Sequence, residues 1–166
     1  MLGKRGGHAP SDQGQLDVAP LGDHLERVVR AVQRPLLVAS REFRPIQRVL
    51  IAFDGSPTTR KGLQMVAASP LFRGGDIHVV AAGSTEDAGR RELPWADQVL
   101  VDGGFQPQAS GIEGDAEAVL CEYIRDQRID LLVMGAYGHS RIRDLIVGST
   151  TTAMLRSCHV PVLLLR

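Results

Sequence analysis

Two groups of residues have types and spacings suited to holding a phosphorylated ligand. The first is Gly135-Ala136-Tyr137-Gly138, separated by nine residues from Gly148-Ser149-Thr150. Glycine admits positive φ and lets a ligand approach backbone N–H groups with no Cβ in the way. A helix opening after Gly148 presents unpaired first-turn amides to an anion, and the hydroxyls of Ser149 and Thr150 add donors there. Taken alone, these glycines are explained as well by simple turns. The second group is Asp54-Gly55-Ser56-Pro57. Its carboxylate suits ribose hydroxyls, or Mg2+ held through water, while the same residues also form a common turn and helix cap. No lysine precedes Ser149 as a Walker phosphate loop requires, and no G-x-G-x-x-G is present, so fast energy-coupled hydrolysis and dinucleotide binding are both disfavoured.

Both groups fall where an apolar run stops. Arg48 to Phe53 reads as a buried strand ending in the Asp54 turn, and Pro57 suits a helix's first turn. Leu63, Val66 and Ala67 recur at helical spacing until Ser69-Pro70, and Ile77 to Ala82 supplies a second strand. Glu86 to Gly103 is expected to be a helix, with Pro94 as a candidate true start. A weak strand is expected within Gln106 to Ile112, then a helix capped by Asp115 with Val119, Leu120, Tyr123 and Ile124 on one face. Leu131 to Met134 is the strongest strand; a helix from Gly148-Ser149 and a strand over Pro161 to Leu165 complete the pattern. Alternation of this kind predicts an α/β fold with a parallel sheet covered on both faces.

The chain has 166 residues, enough for one full domain and a fragment of another. Nineteen basic residues balance nineteen acidic ones, which gives no charge-based case for nucleic acid or an anionic membrane. The longest apolar runs fall far short of the roughly 20 residues of a membrane span. No secretory leader is recognisable behind Lys4 and Arg5, so the cytoplasm is the expected location. Cys121 and Cys158 sit in apolar helical patterns and are expected to be buried reduced thiols.

Residues Leu21 to Ser40 align without a gap on Val147 to Arg166: Gly22 falls on Gly148, Arg30 on Arg156, Pro35 on Pro161 and Leu37 on Leu163. Residues 1–44 are therefore expected to hold the truncated tail of a second copy plus a linker, and residues 45–166 a complete domain. A chance match of two generic helix-strand units is the competing explanation.

Ile51-Ala52-Phe53-Asp54-Gly55-Ser56, Asp130 to Gly135, and Gly148-Ser149 through Pro161-Val162-Leu163-Leu164 resemble the universal stress protein family, in its ATP-binding type. The resemblance runs from about Arg48 to Arg166, and the spaced glycine signature is matched throughout. It implies a five-stranded parallel sheet in order 3-2-1-4-5 with ATP, with or without Mg2+, at the switch point. It assigns Asp54 to the ribose, Ala82 and Ala52 to the adenine, and Gly135, Gly138, His139, Gly148, Ser149 and Thr150 to ribose and phosphates. Two departures bear on the adenine end: the stretch between the second and third strands is short for the family, and Ala81-Ala82-Gly83 is small. Gly3-Lys4-Arg5-Gly6 and Asp23 depart too far from the signature for the truncated copy to bind nucleotide.

Family members commonly pair through their last strands, so Leu36-Leu37-Val38 is expected to add antiparallel to Pro161–Leu165, imitating a dimer partner. Three strand spacings are about 14 Å, within the roughly 23–25 Å reach of residues 41–47. The function implied is a nucleotide-binding regulatory or stress-response module with at most slow hydrolysis. An adenylyl or phosphoryl transferase in the same cleft, using His139, Arg141 and Arg143, and an interaction module with a vestigial loop are the alternatives.

Overall fold

A computed structural model describes residues 28–29, 31–40, 42–136 and 149–166. Six strands, β1 (Leu36–Val38), β2 (Arg48–Ala52), β3 (Asp76–Ala82), β4 (Gln108–Ile112), β5 (Leu131–Gly135) and β6 (Val162–Leu165), form one sheet in the order β1-β6-β5-β2-β3-β4. Every pair is parallel except β1 with β6. Counted from β2, the parallel strands run 3-2-1-4-5 as expected, with the N-terminal strand added antiparallel at the β6 edge.

Helices cover both faces because strand residues alternate between them. Leu50, Val80, Leu132, Met134, Val162 and Leu164 turn to a core shared with Val119 and Leu120 of α3 (Ala116–Asp126) and Met154 of α4 (Ser149–Ser157). Val49, Ile51, Phe53, Ile77, Val79 and Val133 turn to the other, shared with Leu63 and Val66 of α1 (Pro57–Ala68) and Ala96 and Leu100 of α2 (Ala88–Asp102). Strands buried on both sides read as continuous apolar runs, which is why β2, β3 and β5 stood out in the sequence.

Asp130 ties β2 to β5 at their N-terminal ends: Oδ2 accepts from the backbone N–H groups of Gln47 (3.0 Å) and Arg48 (2.9 Å). Asp115 caps α3 as expected, accepting from Ala118 N at 3.1 Å. Pro94 is not where α2 begins. The helix starts at Ala88 behind Asp87 and carries Pro94 in its interior, on the exposed side, while Ala96 and Leu100 anchor the opposite side in the core. Tertiary burial thus outweighs a local break that removes one donor. Ahead of β1, Val28, Val29 and Ala31 are helical, Val29 is buried in the α3–α4 core, and Arg166 donates to the Val32 carbonyl.

Candidate functional site

β2 is the hinge of the topology. The chain runs outward from it to β3 and β4, then returns to its other side as β5 and continues to β6. The C-terminal ends of β2 and β5 therefore diverge into opposite connections, and a crevice opens there. Ala52 ends β2, Ala82 ends β3 and Gly135 ends β5; all three are half-buried. Three neighbouring strands thus end in small residues.

The turn after β2 is built around Asp54. Its Oδ1 accepts from the Ser56 N–H at 2.9 Å and from the Thr59 hydroxyl at 2.6 Å. Ser56 caps α1 by accepting from Thr59 N at 3.3 Å, and its hydroxyl lies 3.2 Å from that of Thr59. Gly55 sits at φ +74°, a left-handed conformation that favours glycine and bends the chain here. The turn-and-cap alternative for Asp54-Gly55-Ser56 is thus realised by Oδ1.

At the other side of the crevice, Thr151 is buried in the first turn of α4 and donates toward the carbonyls of Gly135 (3.0 Å) and Ala136 (3.3 Å). This contact pins the N-terminus of α4 to the end of β5. Ser149 is exposed and Thr150 half-buried beside it. The arrangement brings Ala52, Asp54, Ala82, Gly135, Ser149 and Thr150 to the C-terminal ends of the strands and the start of α4. Gly138, His139 and Gly148 lie outside the described residues, as do Arg141 and Arg143. Among the described residues, no group of three or more His, Cys, Asp and Glu is placed to hold a metal ion.

Sequence reasoning missed the residues that brace the Asp54 turn from behind. Gly89 lets α2 press on it: a Cβ there would stand 2.6 Å from the Phe53 carbonyl oxygen and 3.0 Å from the Asp54 Cα. Arg60 donates Nε to the Gly55 carbonyl at 3.2 Å, pairs with Glu92, and lies 4.9 Å from the centre of the Trp95 ring, which stacks on Phe53. Thr59 and Thr151 were missed as well. Their one signal was position: each is the third residue of a helix that follows a strand end.

Two titrating clusters lie below the crevice. His78, buried within β3, shares a 3.0 Å hydrogen bond between Nδ1 and the Tyr123 hydroxyl. Burial pushes the imidazole below its usual range, Asp76 opposing and Arg48 adding, and burial raises the Tyr123 phenol against a hydrogen bond with Ser110. Cys121 and Cys158 are free thiols, half-buried rather than fully buried. Burial raises both above the ordinary thiol range, which favours the protonated form.

A doubly wound sheet with small residues at the strand ends of its switch point defines an open α/β fold. The chain belongs to the universal stress protein family, whose model matches residues 81–166. A universal stress protein of Synechocystis sp. is 41% identical over 168 residues, covering 100% of this chain and 57% of the relative, so the chain spans little more than half of that relative's length. Among solved structures, a universal stress protein from Archaeoglobus fulgidus aligns with a TM-score of 0.66 at 20% identity, over 82% of this chain and 51% of that one. A universal stress protein solved in complex with cAMP aligns with a TM-score of 0.61 at 20% identity, over 74% and 98%.

Proposed function

We propose that this chain binds an adenine nucleotide, ATP first among them, at the C-terminal ends of β2, β3 and β5, and acts as a regulatory or stress-response module in the cytoplasm rather than as a dedicated catalyst. The observation that carries this reading is the convergence of Asp54, Ala52, Ala82 and Gly135 with the first turn of α4 at the switch point. Family membership supports it, as does a similar protein that binds cAMP. In this reading Ala52 and Ala82 flank the base and Asp54 meets the ribose. Gly135, Gly138, His139, Gly148, Ser149 and Thr150 surround the phosphates, chiefly with main-chain donors. Mg2+, where present, enters with the nucleotide and offsets phosphate charge. Residues 45–166 act as the complete domain, and residues 1–44 as a truncated copy and linker that complete an intramolecular imitation of a dimer.

The test is calorimetry with ATP on the intact chain and on Gly138→Val, together with mass spectrometry of ligand released from freshly purified protein. A branched side chain at position 138 blocks the approach of phosphates to the backbone, so the folded variant should lose at least tenfold in affinity, about 1.4 kcal/mol. Equal affinity in the two proteins would remove the glycine loop from the site.

A further inference from the structure

Three sulfur atoms gather between α3 and the end of α4, at the opposite end of that helix from Ser149. Cys121 on α3 donates its thiol toward the Met154 thioether on α4, with Sγ 3.9 Å from Sδ. Cys158 follows α4 directly, and its N–H closes a last helical turn on the Met154 carbonyl at 2.8 Å. Residues four apart on a helix share a face, so Cys158 stands one turn along from Met154 on the side that meets α3. A second contact crosses the same seam. The Ser157 hydroxyl donates to Glu117 Oε1 at 2.7 Å, and Glu117 lies one turn before Cys121. Cys158 is therefore held beside α3 both by the residue before it and by the residue one turn back. Both cysteines pack on the core cluster that contains Met154, and charge on the Cys121 sulfur reaches the Cys158 thiol.

Two thiols and a thioether are donors of one chemical kind. Soft sulfur ligands select Cu(I), which two or three of them satisfy, whereas Zn2+ takes four ligands in a tetrahedron and hard cations take oxygen. Among the described residues, no set of three or more His, Cys, Asp and Glu is placed to complete a zinc site. The spacing suits a trigonal ion. Metal–sulfur bonds of about 2.3 Å in a trigonal plane put sulfur atoms about 4.0 Å apart, close to the separation of Cys121 from Met154. The thioether is fully buried, while both thiols are half-buried. Burial favours the protonated thiols, and Glu117 adds to that effect at Cys121, so only a cation that binds thiolate strongly displaces the protons.

We propose that Cys121, Cys158 and Met154 form a binding site for a single Cu(I) ion. The ion bonds to the two cysteine sulfurs as thiolates, their two protons leave to solvent, and the Met154 thioether completes a trigonal plane. Copper enters and stays as Cu(I), so no atom changes oxidation state. Cys121 reaches the ion from α3, Met154 from α4 and Cys158 from the turn behind α4, so the bound metal ties the two helices together. This inference is independent of the nucleotide reading.

The experiment titrates the reduced full chain with Cu(I) in the absence of oxygen, against a coloured chelator that sets the free-ion level, and follows the near-ultraviolet absorption of copper thiolate. The expected result is one ion per chain, sulfur ligands only by X-ray absorption, and a higher melting temperature on loading. Cys121→Ser and Cys158→Ser should each weaken binding by about a hundredfold or more. Met154→Leu, which keeps the volume, should weaken it by about tenfold while the thiolate absorption remains. Zn2+ should bind at least tenfold more weakly than Cu(I). Should a serine variant melt early, X-ray absorption on the unaltered chain decides instead, and three sulfur ligands at about 2.3 Å support the site. Affinity no greater than that of free cysteine, ligation by nitrogen or oxygen, or Zn2+ binding equal to Cu(I) overturns the proposal. So does any of the three variants that binds Cu(I) as the parent does.

Discussion

Thr59 is the residue on which the Asp54 turn depends. Its hydroxyl gives Oδ1 a 2.6 Å hydrogen bond from a buried position, so Thr59→Val keeps the shape and removes the donor. Leaving a polar partner under-satisfied costs about 1–3 kcal/mol, and denaturant melts should show a loss in that range. If Asp54 also meets the ribose, ATP affinity should fall with it by a factor of roughly five or more, since about 1 kcal/mol corresponds to that ratio. Calorimetry that finds stability reduced and affinity intact would confine Asp54 to the cap. His78 makes a second prediction at this scale. Its folded pKa lies below the unfolded value because burial disfavours the imidazolium, so as the pH falls through the ordinary imidazole value of 6.5 the unfolded chain takes up the proton first. The stability that depends on neutral His78 is complete above that value and is lost as the pH falls from there toward the folded pKa. Urea melts between pH 8 and pH 5 should show this decline, and His78→Gln, which cannot titrate, should make the profile flatter.

At the scale of elements, the site is a matter of what braces two loops. α2 lies against the β2–α1 turn because Gly89 has no side chain to hold it off, and the Arg60–Glu92 pair with Trp95 closes the same contact. Gly89→Ala would place a Cβ against backbone atoms of Phe53 and Asp54 that cannot rotate away. Overpacking of this kind costs about 1–3 kcal/mol, and thermal melts should register it. A variant as stable as the parent would mean that α2 shifts freely and does not set the turn. These contacts explain what the sequence left illegible. Strand ends, caps and helix starts are local and periodic, so β2, β3, β5, α4 and the Asp54 turn could be read directly. Arg60, Glu92, Trp95 and Gly89 owe their roles to one helix packing on the end of a strand far away in the chain, which no local pattern encodes. Pro94 misled for the same reason, since its breaking tendency is local and the burial that overrides it is not.

At the scale of the molecule, the alternation of elements predicted a parallel sheet, while its strand order and the antiparallel addition of β1 were implied by the family resemblance together with the repeat. The pairing register of β1 did not, because three apolar residues in a row fit a strand equally well in several registers. The fragment carries Val29 into the core and covers the edge of β6, so removing residues 1–44 should weaken the whole domain. Burial of a valine-sized side chain is worth about 1.5–3 kcal/mol, enough to lower Tm by several degrees in a chain of this size. The exposed β6 edge should then recruit another, and light scattering should find dimers or larger species. A truncated protein with the parent's Tm and mass would make the fragment dispensable.

The short connection between β1 and β2, residues 39–47, carries a kinetic and concentration consequence. A tether of this length holds β1 near β6 at an effective concentration in the millimolar range. The β1 of a neighbouring chain offers the same contacts without that tether, so exchange of the fragment between molecules becomes competitive only as the protein itself nears millimolar levels. In dilute solution each molecule should therefore keep its own strand, and exchanged dimers formed during concentration should revert on dilution at the rate at which β1 peels from the sheet.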